Sequence, residues 1–539
     1  MTRWLIFGLA LALAACTSPP LRQSLRGEPA AALDGCHELA QALRTAVAKA
    51  GVGDAQAAAI DGFDWLRADR FTAALGGQAA SVEQTAAWLV RLRALDTQAR
   101  RIELANLPDA WVTDAWVTDA LMTDAAVTGS NTTATGTAGR VPASDASAAR
   151  HALQNRIDTC GRASIAAIAR EPALLERLRR SAQVPDDYVD WQRAVGVYPL
   201  SALAFEAGVR REEAAMAAAH ARHADSVARD ARLMLISQPA NDAMGTAGLR
   251  LADVRRDALG VPHPDDRQAA ALLTRHAPVI ALAGQGDDDR IGTLRFDAQG
   301  RSVVDIGQPA VYGRIAFMTW QGEVRVQLVY TAWFARRPPE HSADLLAGHL
   351  DGIVLRLTLN ADERIDMIDS IHPCGCWHQF IPVGDWQVKP APAPREEWAF
   401  VARRLTSVPP GHRVRIRLSP GAHMFEGIDS VDSSAGSSAG SLAGSLAGNG
   451  ADSTPEHYAL LSDDLLRSLA LPSGGRRSLY DPRGFIPGTE RAEAWLFWPM
   501  GISEAGSMRQ WGHHATAFVG RRHFDDADLL ERRFVRPEK

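Results

Sequence analysis

Val324-Arg-Val-Gln-Leu-Val-Tyr-Thr-Ala-Trp-Phe334 decides the fold class of this chain. Val324, Val326, Leu328, Tyr330, Ala332 and Phe334 hold every second position, and alternate side chains of a strand share one face. The run therefore reads as a β-strand with an apolar face. Gln321-Gly322 supplies a turn before it. Ile353, Leu355, Leu357 and Leu359 repeat the alternation, Asn360 to Glu363 makes the next turn, and Val414, Ile416 and Leu418 repeat it again. Period-two alternation between short turns predicts an antiparallel sheet with one face packed and the other toward water.

Upstream the period changes. Trp88, Leu92, Leu95, Ala99 and Ile102 recur at intervals of four and three, the stripe of a helix, behind a Ser81/Gln84 capping-box pattern. Asn106 and Pro108 end that helix. Leu153, Ile157 and Cys160 open a second stripe that runs through Ile168 to the break at Pro172. A third, Ala-rich helix is expected from about Arg210 to Leu235, because Ala has the highest helix propensity. The expectation is an α+β multidomain protein: an N-terminal all-helical domain over 34–285, followed by a β-rich domain with an antiparallel sheet over 290–539.

Two tracts interrupt this plan. Asp109-Ala-Trp-Val-Thr113 is followed by near copies beginning at Asp114, Asp119 and Asp124, a repeat insertion spanning 109–140. Ser433 to Gly448 repeats Ser-(Ser or Leu)-Ala-Gly within a loop over 432–454. Neither period is that of a helix or a strand, and both tracts read as exposed insertions without chemistry.

The 539 residues are 46% hydrophobic and 22% charged, values of a folded chain rather than a disordered one. A net charge of -5 argues against nucleic acid as a partner. At the N-terminus Arg3 precedes an unbroken run of apolar residues and Gly from Leu5 to Ala15. As a helix that run rises only about 16 Å, against the roughly 30 Å of a bilayer core, so 1–15 reads as a signal peptide. The run ends in Leu13-Ala14-Ala15-Cys16, which resembles the lipobox of bacterial lipoproteins. That resemblance implies cleavage before Cys16, lipidation of Cys16, and a flexible tether over 16–33 that joins the body to a membrane. Thr17, where an Asp would favour the inner membrane, implies the outer membrane, with the body facing the periplasm or the exterior.

Four further cysteines are Cys36, Cys160, Cys374 and Cys376. An exported chain can form disulfides. Cys36 is in line with Ala40, Leu43 and Val47, and Cys160 lies on the apolar stripe of its helix. The two are candidates for a bridge that closes across the first insertion; two separate buried thiols, or mixed pairing with other cysteines, are the other readings.

Asp369-Ser-Ile-His372-Pro-Cys374-Gly-Cys376-Trp-His378 is the densest chemical cluster. Its four potential ligands recur at every second position, and alternate strand residues lie about 6.6 Å apart. Two thiolates on one zinc lie closer, so only a bend at Pro373 and Gly375 would gather them. Three readings stand: a zinc or copper site drawn from His372, Cys374, Cys376 and His378; a Cys374–Cys376 disulfide, structural or redox-active; or two inert cysteines beside surface histidines. His513, His514 and His523 are candidates for a missing ligand. The Cys374 region and the segment from Arg509 to Asp526 resemble stretches of uncharacterised proteobacterial proteins, which implies no activity.

Other signatures are missing or misplaced. Gly436-Ser-Ser-Ala-Gly440 has the letters of a hydrolase elbow but sits inside the Ser-Ala-Gly repeat. There is no P-loop, no H-E-x-x-H and no dinucleotide fingerprint. The expected role is extracytoplasmic binding or envelope assembly by an outer-membrane lipoprotein. The alternative is a metal-dependent or thiol-redox enzyme centred on His372 to His378.

Overall fold

The computed structural model describes residues 33–113, 145–224, 227, 231–237, 249–284, 286–393, 395–432 and 456–537. The expected signal peptide, Cys16, the tether up to residue 32 and most of both repeat tracts lie outside these residues. The chain divides into two compact units at Pro185 and Asp186.

The first unit contains helices α1 (Asp34–Ala50), α2 (Arg70–Leu75), α3 (Val82–Asn106), α4 (Asp109–Val112), α5 (Ala146–Arg170) and α6 (Pro172–Ser181). A two-residue ladder pairs β1 (Ala58–Ala59) with β2 (Arg67–Ala68), so the unit is helical in bulk but not all-helical. The Ser81 side chain accepts from the Gln84 amide and the Gln84 side chain accepts from the Ser81 amide, closing the capping box at the start of α3. Leu107 is extended ahead of Pro108 and stops the helix. Trp88, Leu92 and Ala99 are buried as their spacing predicts, while Leu95 and Ile102 are only half-buried. Charged residues are buried on the same helix as well. Asp96, Arg100 and Glu103 meet Arg67 in a network where Arg67 donates to Glu103 at 2.6 Å and Arg100 donates to Glu103 at 2.9 Å. Burial works against ionisation of Glu103, but the two guanidiniums hold it below its ordinary range. Cys36 and Cys160 form a disulfide that ties α1 to α5, with Cα atoms 5.4 Å apart.

The second unit opens with α7 (Asp190–Val195) and α8 (Tyr198–Arg222). The helix expected to reach Leu235 ends at Arg222, and Leu233–Ser237 is strand β3. After β4 (Val279–Leu282), β5 (Thr293–Phe296) pairs with β6 (Ser302–Asp305). The long meander is β7 (Ala310–Trp320), β8 (Glu323–Arg337), β9 (Gly348–Leu359), β10 (Ile365–Ile371) and β11 (Gln379–Pro382). Beyond the short β12 (Gln387–Val388) come β13 (His412–Leu418), β14 (Phe425–Asp432) and β15 (Glu456–Ser462). The unit also holds helices α9 (Asp266–His276), α10 (Glu493–Phe497) and α11 (Leu529–Arg533), and the short strands β16 (Leu469–Ala470), β17 (Arg476–Arg477) and β18 (Phe534–Val535).

Ten of these strands form one sheet in the order β11-β10-β9-β8-β7-β15-β3-β4-β13-β14. The meander is antiparallel as expected. The sheet as a whole is mixed, because β15 runs parallel to both β3 and β7, and β13 runs parallel to β4. β3 and β4, inside the segment read as helical, belong to this sheet.

Val326, Leu328, Tyr330, Ala332 and Phe334 share one core with Ile353, Leu355, Leu357, Leu359, Val414, Ile416 and Leu418. The opposite face is covered too, so the sheet is not half-exposed. Val329, Val354 and Ile371 pack on Phe524, and Met318, Trp320 and Met367 pack on Leu529, Leu530 and Phe534. Both faces of a sheet are covered when it is sandwiched between layers, and here the last part of the chain supplies the second layer.

Candidate functional site

The β10–β11 hairpin carries the cluster singled out in the sequence. The Gly375 amide donates to the His372 carbonyl at 2.8 Å, and the His372 amide donates to the Cys376 carbonyl at 3.0 Å, closing a tight turn over His372–Cys376. Gly375 has φ +94°, and a Cβ there would lie 2.4 Å from the Ala515 carbonyl oxygen. Only glycine meets both demands. Trp377 then adopts φ +59°, a left-handed conformation that a bulky residue rarely takes.

The turn brings the two thiols together but scatters the other two ligands. Cys374 and Cys376 are free and buried among Leu350, Met508, Ala515 and Phe518. A hydrogen bond with the Cys374 thiol, added to burial, pushes the Cys376 thiol well above its ordinary range. A thiol held protonated is a poor nucleophile and a poor metal ligand. His372 Nδ1 lies 3.5 Å from Asp351, whereas His378 Nε2 lies 2.8 Å from Asp369. Burial drives His378 down to about 3, so the ring is neutral there despite its carboxylate.

The three C-terminal histidines do not complete a site with the thiols. His513 Nδ1 is 3.0 Å from Asp187, and His523 Nε2 lies 3.2 Å from Asp186 and 3.4 Å from Asp187. His514 is buried, and neither ring nitrogen has a hydrogen-bond partner among the described residues. Among the described residues no group of three or more His, Cys, Asp or Glu is placed to hold a metal ion. The grouping that the zinc or copper reading requires is therefore not seen among the described residues. His372 and His378 are engaged by different carboxylates, His513 and His523 share Asp187, and His514 lies beside Arg314 and Arg509.

A second set of buried polar groups escaped the sequence reading. His423 Nδ1 is 2.8 Å from Asp351, and its ring stacks on Phe334 with centroids 3.7 Å apart. Burial disfavours charge on His423, but Asp289 and Asp351 outweigh it and raise its pKa. An aspartate inside the apolar run of β9 was the available signal, since a buried acid needs a partner.

Among the described residues this unit holds a cavity of about 690 Å³. Its wall includes Phe205, Trp377, Met424, Phe497 and Phe518, with Glu493 among its few polar groups. The rings touch in sequence: Trp377 meets Phe518 edge-on at 5.5 Å, Phe518 stacks on Phe497 at 4.5 Å, and Phe497 meets Phe205 at 5.2 Å. Trp377 thus joins the hairpin to the cavity. The strain at its backbone accompanies a side chain placed in the wall.

Comparison with protein-family models, curated proteins and solved structures returned no match. No helix among the described residues is long and apolar enough to cross a membrane.

Proposed function

We propose that this chain is an extracytoplasmic binding protein, anchored in the outer membrane through lipidated Cys16, that takes an apolar small molecule. The observation that carries the binding role is the aromatic-walled cavity. Its volume falls in the range of about 300–1,000 Å³ typical of small-molecule sites. Its lining is mostly apolar with a few polar groups, the composition such sites favour. Trp191, Leu200, Trp495 and Leu496 stay exposed on α7, α8 and α10, and both α8 and α10 contribute to the cavity wall. The address rests on Leu13-Ala14-Ala15-Cys16 and Thr17.

The test uses the chain from Thr17 to Lys539 and the neutral fluorophore N-phenyl-1-naphthylamine. Saturable fluorescence enhancement that is lost in Phe518→Glu supports the reading. Absence of saturable binding to the unaltered chain refutes it. Mass spectrometry of the membrane-extracted protein tests the anchor, which requires acyl chains on Cys16.

A second reading keeps Cys374 and Cys376 as a redox pair, on the single ground that their thiols touch. Disulfide formation there would pass two electrons and two protons to a partner disulfide. Burial and the raised Cys376 thiol count against it, so the binding reading is preferred.

A further inference from the structure

The charges around the cavity narrow what it can take. Its ionisable lining groups are Glu212, Arg337, Glu340 and Glu493. Arg337 lies 3.9 Å from Glu340, so the acids outnumber the base and one of them already offsets it. The walls add a second negative feature, because the face of an aromatic ring carries negative electrostatic potential and attracts cations.

Glu493 stands apart from the other buried acids of this unit. Asp351 and Asp369 are each engaged by a histidine and an arginine. The Glu493 residue is 5% exposed, yet its carboxyl makes no hydrogen bond or ion pair within reach among the described residues. Its backbone amide donates to the Leu345 carbonyl, which fixes the first turn of α10 at the cavity wall. A carboxyl largely withdrawn from water is costly to ionise without a nearby cation. Its place in the lining of an open cavity leaves it available to a ligand.

We infer, resting on the binding reading above, that the cavity selects a lipophilic organic cation, an alkyl or aryl ammonium whose head is held by the Glu493 carboxylate and the aromatic faces and whose apolar part fills the remaining volume. The charges facing Glu493 come from Arg337, Asp344, Asp351 and Arg491, with the Cys376 thiol also near. Burial raises Glu493 to about 7, with Arg491 and Arg337 pulling against the rise and Asp351 and Asp344 adding to it. A cation favours the ionised carboxyl. Its binding therefore releases a proton below about pH 7, and affinity climbs with pH through that region.

The experiment displaces N-phenyl-1-naphthylamine from the Thr17–Lys539 chain with dodecyltrimethylammonium or with dodecyl sulfate, each below its micelle-forming concentration. The tail is common to both and only the sign of the head differs. At pH 8 the cation is expected to displace the probe at concentrations at least about tenfold lower than the anion, about 1.4 kcal/mol of preference. That preference should shrink at pH 6 in the unaltered chain, fall to a small remainder without pH dependence in Glu493→Gln, and persist in Glu493→Asp. If Glu493→Gln fails to fold, the pH series on the unaltered chain decides. Equal displacement by both heads, or stronger displacement by the anion, overturns the cation assignment while leaving the cavity reading intact. Failure of the neutral probe to bind at all refutes the cavity reading itself.

Discussion

Arg356 and Asp369 stand opposite each other on β9 and β10 and form a two-pronged ion pair closed to water, their side chains 1% and 0% exposed. Arg356 Nε donates to Asp369 at 2.9 Å, and a further donor reaches the Phe524 carbonyl. His378 leans on the same carboxylate. Removing one partner strands a buried charge, which costs about 3–5 kcal/mol. Asp369→Ala is expected to lower the stability of the second unit by that amount in urea unfolding. Asp369→Leu combined with Arg356→Met should recover most of it. A single variant as stable as the parent would show that the pair carries little.

The disulfide and the close thiols respond differently to reagent. Cys36–Cys160 spans 124 positions, for which chain entropy gives an upper value of about 4–5 kcal/mol. Reduction, or Cys36→Ala with Cys160→Ala, should lower the unfolding midpoint of the first unit. Cys374 and Cys376 are free and buried, so an aromatic disulfide reagent should label neither quickly in the folded chain and both after unfolding without reductant. Fast labelling of the folded chain would revive the redox reading.

Gly375 and Gly384 offer a matched pair of alanine substitutions. Both have positive φ, +94° and +88°, but only Gly375 faces a backbone atom, while Gly384 has nothing within 4 Å. Gly384→Ala should cost about 1 kcal/mol for the left-handed backbone. Gly375→Ala adds an overpacking cost of about 1–3 kcal/mol and should shift Trp377, read as a change in tryptophan fluorescence.

Acid should weaken the fold partly through its neutral buried histidines. Burial lowers His514 from 6.5 to about 3, with Arg509 and His513 adding to the shift. Such a group takes up a proton on unfolding, so its contribution is complete above about pH 6.5 and is lost as the pH falls toward the folded value. His514→Phe removes a ring with no hydrogen-bond partner among the described residues. The pH dependence of the urea midpoint between about pH 4 and 6 should therefore flatten by about one proton relative to the parent chain. An unchanged slope would mean that His514 is protonated in the folded state.

Local periodicity was legible where one residue type repeated along one element. The alternation from Val326 to Phe334 placed those side chains in one core, and the stripe through Cys160 placed it within reach of Cys36. Pairings between distant short segments were not legible. β3 and β4 have five and four residues, too few to show a period, and their parallel partners come from residues beyond 410. The apolar second face was hidden because its strand positions mix Arg356, Thr358 and Asp369 with Val329 and Val354; burial there is satisfied by ion pairs rather than by hydrophobicity alone. The four-ligand pattern at His372–His378 promised convergence, yet the turn at Gly375 sends the histidines to separate carboxylates. Glu493 carried no signal, since a lone glutamate in Arg491-Ala-Glu493-Ala-Trp495 reads as an ordinary surface residue.

β15 pairs with β3 through Glu456–Tyr458 and with β7 through Ala459–Ser462. Among the described residues it is the only link between the two halves of the sheet order, and it comes after all of the other strands of that sheet. While a nascent chain lacks those seven residues, β7 and β3 each leave a row of backbone donors and acceptors without a neighbour. Such open edges recruit foreign strands, and non-local closures of this kind are slow. The vulnerable period of this protein is therefore its biogenesis. Substitutions in β15 that slow docking should lower the yield of correctly folded chains more than they change the stability of chains that have matured.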